Sequence, residues 1–212
     1  PKGRFLCISP WNFPVAILIG QISAALASGN NVMIKPSEHT SILGYLVTKR
    51  FHEAGVPINA LELILGDGAY GEILTKIKPL QGVAFTGSLP TAKKIQSNLL
   101  ENQDQIIPLI AETGGINAMI VDSSALLEQV TDDVIRSAFD SAGQRCSALR
   151  VLCIQEEIYV DLIEMLKGNI TVRPAFNKEK IKLLDDQELI LDESCLVISD
   201  DGGAIAFAGV MG

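Results

Sequence analysis

Apolar residues along the chain fall into two rhythms that take turns. Short unbroken runs such as RFLCIS (residues 4–9), NVMIK (31–35), LELIL (61–65) and GVAFTG (82–87) have the length of strands buried on both faces. Between them lie longer stretches with apolar groups every three to four positions: VAILIGQISAALA (15–27), HTSILGYLVTKRFHE (39–53), AYGEILTKI (69–77) and PTAKKIQSNLLENQ (90–103). These read as helices. The prolines of PWNFP close the first strand, Gly29-Asn30 and Gly55 with Pro57 end two helices, and Pro90 starts another. IIPLIAE (106–112) is a further strand, and AMIVD (118–122) follows it. Strand and helix alternating over residues 4–122 predict an α/β fold, a Rossmann-like doubly wound parallel sheet.

From Ser124 the texture changes. LEQVTDDVIRSAFDSAGQRCS (127–147) reads as one long helix that carries Cys146, followed by a strand, LRVLCIQ (149–155), and a helix, EIYVDLIEMLKG (157–168). Beyond Gly168 the chain becomes a series of short strands, ITVRP, IKLL, ELIL, CLVIS and AIAFAGV, separated by the turn sequences DDQ, DES and DDGG. The expected organisation is an α/β domain over residues 1–123, the start of a second domain with its cysteine-bearing helix over 124–168, and a small all-β segment of different origin over 169–212. Residues 169–212 hold 4 Lys/Arg against 8 Asp/Glu, half of the whole chain's net charge of −8. That shift supports a boundary near Gly168. Pro1 and Gly212, the latter straight after an apolar strand-like run, read as cut ends.

The acidic balance, with pI near 4.8, speaks against a nucleic-acid partner or an anionic membrane surface, since phosphate needs clustered Lys and Arg. No apolar run is long enough to span a membrane, and the first residues do not form a signal segment. The four cysteines (Cys7, Cys146, Cys153, Cys195) show no metal-ligand spacing, so no metal is expected. They read as reduced thiols of a cytoplasmic protein, with Cys7, Cys153 and Cys195 in the core.

Two stretches invite chemistry. AETGG places Glu112 before a glycine pair, and GQRCS places a thiol after a glycine, a pattern that fits a base and a nucleophile as well as ordinary strand-end and helix-end residues. GDGAYG, Gly66 to Gly71, matches the G-x-G-x-x-G spacing after a strand and before a helix, but the acid expected about twenty residues later to hold ribose is missing. A different arrangement is available. Lys35 and Glu38 of IKPSE could reach ribose hydroxyls, and Ser88 of FTGS opens a helix whose free amides could hold phosphate. As isolated residues these also read as a solvated loop and a helix cap.

Taken jointly and in order, SPWNFP, IKPSEHT, FTGS, ETGG and GQRCS resemble the aldehyde dehydrogenase superfamily. Residues 111–155 resemble its pyrroline-5-carboxylate (glutamate semialdehyde) dehydrogenase branch, as found in bifunctional proline-utilization enzymes. The resemblance covers residues 1–168 and implies NAD-dependent oxidation of a small-molecule aldehyde to a carboxylate through a cysteine thioester. It implies Cys146 as nucleophile, Asn12 as oxyanion donor and Glu112 as base. Lys35 and Glu38 would hold the adenosine ribose and Ser88 the pyrophosphate, with Trp11 and Phe85 lining the cofactor cleft. Ser9, Gly87, Thr113 and Gly114 of the same motifs complete the cofactor contacts, and Gly66 becomes a turn beside the adenine. Residues 1–123 would then be the NAD-binding domain.

The chain also departs from that pattern. LPTA after Ser88 replaces the usual phosphate turn, Ile116 stands where the branch often carries a polar residue, and no E-x-F-G-P segment follows. Residues 169–212 resemble instead a fragment of the phenylalanyl-tRNA synthetase β-subunit, from its B3/B4 editing module. A join of two unrelated coding segments is therefore expected, with an inactive, truncated dehydrogenase as one outcome. The other is a non-catalytic folded chain with weak nucleotide binding, associating as a homo-oligomer through exposed strand edges.

Overall fold

The computed structural model describes residues 1–166, 171–182, 188–200 and 203–207. They form two compact units, residues 1–114 and 115–212. The first contains β1 (Arg4–Ile8), α1 (Ala16–Ala27), β2 (Asn31–Lys35), α2 (Ser41–Glu53), β3 (Leu61–Leu63), α3 (Gly68–Lys76), β4 (Gly82–Gly87), α4 (Leu89–Asn102) and β5 (Leu109–Thr113). The five strands make one sheet of order β3-β2-β1-β4-β5, every neighbouring pair parallel. This is the doubly wound sheet that the alternating pattern predicts.

Alternate residues of each strand enter opposite cores. Leu6, Met33, Val83 and Phe85 pack with Leu74, Ile95 and Leu99 of α3 and α4. Cys7, Val32 and Ile34 pack with Leu18 and Ile22 of α1 and with Leu61. Full burial of each such leucine or isoleucine stabilises by about 1.5–3 kcal/mol, which explains why the strands carry few polar residues. Burial also pushes the Cys7 thiol up to about 12, so it is chemically inert near neutral pH. Buried Asn30 ties the chain's start to α1: its Oδ1 accepts from the amides of Lys2 and Gly3 at 2.7 and 3.0 Å, and its Nδ2 donates to the Ala25 carbonyl.

The second unit holds β6 (Asn117–Val121), α5 (Leu127–Phe139), β7 (Leu149–Ile154) and α6 (Tyr159–Met165). β6 pairs in parallel with β7 and lies outside the five-stranded sheet. The expected long helix through Cys146 is corrected: α5 stops at Phe139. The next three residues with left-handed backbone are Ser141, Ala142 and Gly143, at φ 58°, 54° and 67°. A right-handed helix cannot continue through them. A Cβ on Gly143 would sit 2.9 Å from the Ala138 carbonyl oxygen, so the turn needs glycine there. Cys153 is exposed rather than in the core. LRVLCIQ reads as a strand covered on both faces, whereas β7 has one strand neighbour among the described residues and open positions at Arg150, Val151 and Cys153.

The C-terminal strands are β8 (Thr171–Pro174), β9 (Lys180–Lys182), β10 (Glu188–Ile190), β11 (Leu196–Asp200) and β12 (Gly203–Phe207), all antiparallel in two small sheets, β12-β11-β8 and β10-β9. They agree with the short-strand pattern. The junction at Gly168, the DDQ turn and the last five residues lie outside the described residues. Ala175, Ile181, Leu191 and Val197 form a small core. Beside it Arg173 donates to both oxygens of Glu179 at 2.8 and 2.7 Å, and the amides of Phe176 and Ala204 donate to the same carboxylate.

Candidate functional site

Parallel strands gather their carboxyl ends on one edge, and the first unit places there twelve of the residues singled out in the sequence. Ser9, Trp11 and Asn12 follow β1; Lys35 and Glu38 end and follow β2; Gly66 follows β3. Phe85, Gly87 and Ser88 end and follow β4, and Glu112, Thr113 and Gly114 end and follow β5. The winding of the sheet reverses between β1 and β4, the place where open α/β sheets take ligands. Asn12 and Glu112 both belong to this edge, with β4 between their strands, roughly 10 Å apart by strand spacing.

Lys35 is 4% exposed, and its ammonium donates to the Pro36 carbonyl at 3.2 Å. Desolvation lowers its pKa, opposed by the nearby charges of Glu38 and Asp67. Gly71 supports the lysine stem, since a Cβ there would meet Lys35 Cδ at 3.4 Å. A buried ammonium beside two carboxylates is a polar feature that the flanking apolar core does not require.

The glycine-rich stretch takes a different role from a dinucleotide fingerprint. It follows β3, an edge strand, and two of the first-turn amides of α3 are already used: Asp67 Oδ1 accepts from the amides of Ala69 and Tyr70 at 2.9 and 3.4 Å. A carboxylate in that position would repel a pyrophosphate. Gly66 is required for its own reasons, with φ 155° and the Tyr70 ring 2.7 Å from where its Cβ would lie.

At the start of α4, Ser88 is the helix cap. Its Oγ accepts from the Thr91 amide at 3.4 Å and lies 2.9 Å from Thr91 Oγ1. Pro90 has no N–H, and the Ala92 amide donates to the Ser88 carbonyl, so Leu89 supplies the remaining backbone donor of the first turn. The departure LPTA thus reduces this helix start as a phosphate cradle. Phe85 is 4% exposed and packs in the core beneath the edge rather than lining an open cleft. Gly87 makes room for it: a Cβ would approach the Phe85 ring at 2.6 Å. Trp11 and Asn12 are half-buried, and Glu112 is exposed on the edge strand β5.

In the second unit Cys146 is exposed in the turn between α5 and β7. Asn117, which the sequence reading passed over, positions it. The Asn117 Nδ2 donates to the carbonyls of Cys146 and Ala148 at 2.7 and 2.9 Å, while Arg150 donates to the Gly143 carbonyl at 2.8 Å. An Asn directly after Gly-Gly-Ile at the head of a strand was the available signal. Gln21 and Thr86 in the first unit were also passed over, and their hydrogen bond, Nε2 to Oγ1 at 3.2 Å, joins α1 to the end of β4.

Residues 1–178 match the aldehyde dehydrogenase family, and residues 160–212 match the B3/4 domain. The chain is 55% identical over 172 residues to the bifunctional protein PutA of Salmonella typhimurium, covering 79% of this chain and 13% of that protein. It is 36% identical over 168 residues to the 1-pyrroline-5-carboxylate dehydrogenase of Oceanobacillus iheyensis, covering 77% and 33%. Among solved structures, a mutant of proline utilization A from Bradyrhizobium japonicum superposes with a TM-score of 0.77 at 53% identity, over 79% of this chain and 17% of that one. An NAD-dependent aldehyde dehydrogenase from Sinorhizobium meliloti gives 0.73 at 31% identity, over 78% and 33%. The chain therefore spans between about an eighth and a third of the length of these relatives.

Proposed function

This chain belongs to the aldehyde dehydrogenase family, and from that premise we propose that it supplies the cofactor edge and the nucleophile of an NAD-dependent oxidation of glutamate semialdehyde to the carboxylate. The observation that carries the reading is the gathering of twelve motif residues from five separate segments on the carboxyl edge of one parallel sheet. The residues fit the cofactor: Lys35 with Glu38 for a ribose diol, and the buried Ser9 hydroxyl, which has no protein partner among the described residues. NAD, when bound, would accept a hydride from the substrate carbon.

The protein's own residues divide the remaining work. Cys146 as thiolate attacks the aldehyde carbon, and the Asn12 amide donates to the oxyanion that forms. Departure of the hydride leaves an acyl thioester on the sulfur. Glu112 then takes a proton from the water that attacks the thioester, and the thiolate leaves as the carboxylate product forms. The aldehyde comes from the branch: relatives at 55% and 36% identity are named as PutA and 1-pyrroline-5-carboxylate dehydrogenase.

The test is NAD reduction followed at the reduced-nicotinamide band with glutamate semialdehyde, for the chain and its Cys146→Ala variant. Turnover that vanishes in the variant supports the reading; turnover that survives it removes Cys146 as nucleophile. The B3/4 match over residues 160–212 favours a second reading: a non-catalytic folded chain, its tail derived from phenylalanyl-tRNA synthetase, that binds nucleotide without turning over. Cofactor binding without any reduction would select it.

A further inference from the structure

Two buried polar atoms of the first unit have no hydrogen-bond partner among the described residues: Ser9 Oγ and Gln21 Oε1. Ser9 is 3% exposed. Both belong to one neighbourhood. Cys7 faces α1, its Sγ lying 3.9 Å from the Gln21 carbonyl oxygen, and Ser9, two residues further along an extended backbone, faces the same side. The Gln21 side chain reaches the end of β1 and β4, donating from Nε2 to the Ile8 carbonyl at 3.3 Å and to Thr86 Oγ1 at 3.2 Å. Ile8 pairs with Phe85, so Ser9 and Thr86 stand side by side across the reversal point of the sheet.

The Gln21 amide has one sensible orientation. A carbonyl only accepts, so Nε2 must face Ile8, and Oε1 is left pointing elsewhere as a pure acceptor. A buried polar group without a partner costs stability, and a hydroxyl and a carbonyl oxygen left so in one neighbourhood are an unusual expense unless something completes them.

We propose that Ser9 and Gln21 form a subsite for a neutral hydrogen-bond donor of the bound dinucleotide, a ribose hydroxyl or the carboxamide N–H. This rests on the cofactor reading above and adds Gln21 to it. Phosphate does not qualify, because an anionic oxygen cannot donate to Oε1. Thr86 contributes too: as acceptor from Gln21 it keeps its own proton to donate.

The experiment is isothermal titration of the 212-residue chain with NAD and with ADP-ribose, which retains the ribose hydroxyls and lacks the carboxamide. Ser9→Ala, Gln21→Met and the double variant are compared, each with its ligand-free melting temperature. Ser9 Oγ makes no hydrogen bond among the described residues, so Ser9→Ala is expected to melt at the same temperature or higher while binding about tenfold more weakly. That opposition separates a ligand contact from a structural role. Equal weakening toward both ligands assigns the donor as a hydroxyl; weakening toward NAD alone assigns the carboxamide. If the unaltered chain binds and Ser9→Ala and Gln21→Met bind within twofold of it, the subsite is overturned and the cofactor reading stands. If the unaltered chain binds neither ligand, the cofactor reading falls and the subsite with it.

Discussion

A single side-chain amide sets the geometry of the exposed thiol. Asn117 holds the carbonyls on both sides of the Cys146–Ala148 turn, which follows a left-handed segment that would otherwise have several ways to connect to β7. Asn117→Ala leaves two carbonyls to solvent, and the expected loss is about 1 kcal/mol, at the low end for hydrogen bonds because the site is partly open. The larger expected effect is on chemistry: the rate of Cys146 alkylation by iodoacetamide should change severalfold while that of Cys153 stays constant. Peptide-resolved mass spectrometry at pH 8 measures both, and Cys7, held near 12 by burial, provides the unreacted control. Equal rates in both proteins would reduce Asn117 to a purely structural clamp. The sequence showed the thiol and the glycine before it. It did not show the amide that aims them, because an asparagine after glycines looks like any turn residue until its partners across the fold are known.

At the scale of elements, the first unit was legible because local and global signals agree. Apolar runs form the strands, three-to-four spacing forms the helices, and glycines stop them where expected. The second unit was less so. The polar and apolar rhythm of FDSAGQRCS continues that of α5, and only the backbone conformation of Ser141 to Gly143 reveals that the helix has ended. The start of α4 is the case where one residue serves two readings, cap and phosphate contact. Aspartate caps a helix as well as serine does, whereas alanine loses about 1 kcal/mol. Ser88→Asp should therefore keep the melting temperature of the parent, and Ser88→Ala should lower it. If Ser88 meets phosphate, Ser88→Asp weakens ADP-ribose at least tenfold by charge repulsion; an unchanged affinity in calorimetry would leave the residue as a cap alone.

The whole molecule carries a net charge of −8 from 25 acidic and 17 basic side chains, so acid should unsettle it through whichever carboxylates the fold holds ionised. Each compact unit has one that stands out. In the first, Lys76 and Lys94 beside Glu72 hold its carboxyl down to about 2 from the ordinary 4.5. In the second, Arg173 and the amides of Phe176 and Ala204 do the same for Glu179, also to about 2. A depressed folded-state value means the contribution is complete above the unfolded value near 4.5 and is lost as pH falls from there toward 2. The two units have separate reporters: Trp11, the one tryptophan of the chain, in the first, and the Phe176 ring, stacked 4.0 Å from the Arg173 guanidinium, in the second. Glu72→Gln should flatten the acid dependence of thermal stability read by Trp11 fluorescence between pH 4.5 and 2, leaving the Phe176 ring resonances on their parental titration. Glu179→Gln should do the converse. Glu72 sits in an exposed network with two lysine partners, Glu179 in a half-buried bidentate pair with Arg173, and salt distinguishes them: 0.5 M sodium chloride, where screening acts over roughly 4–5 Å, should erase most of the Glu72 effect and little of the Glu179 effect.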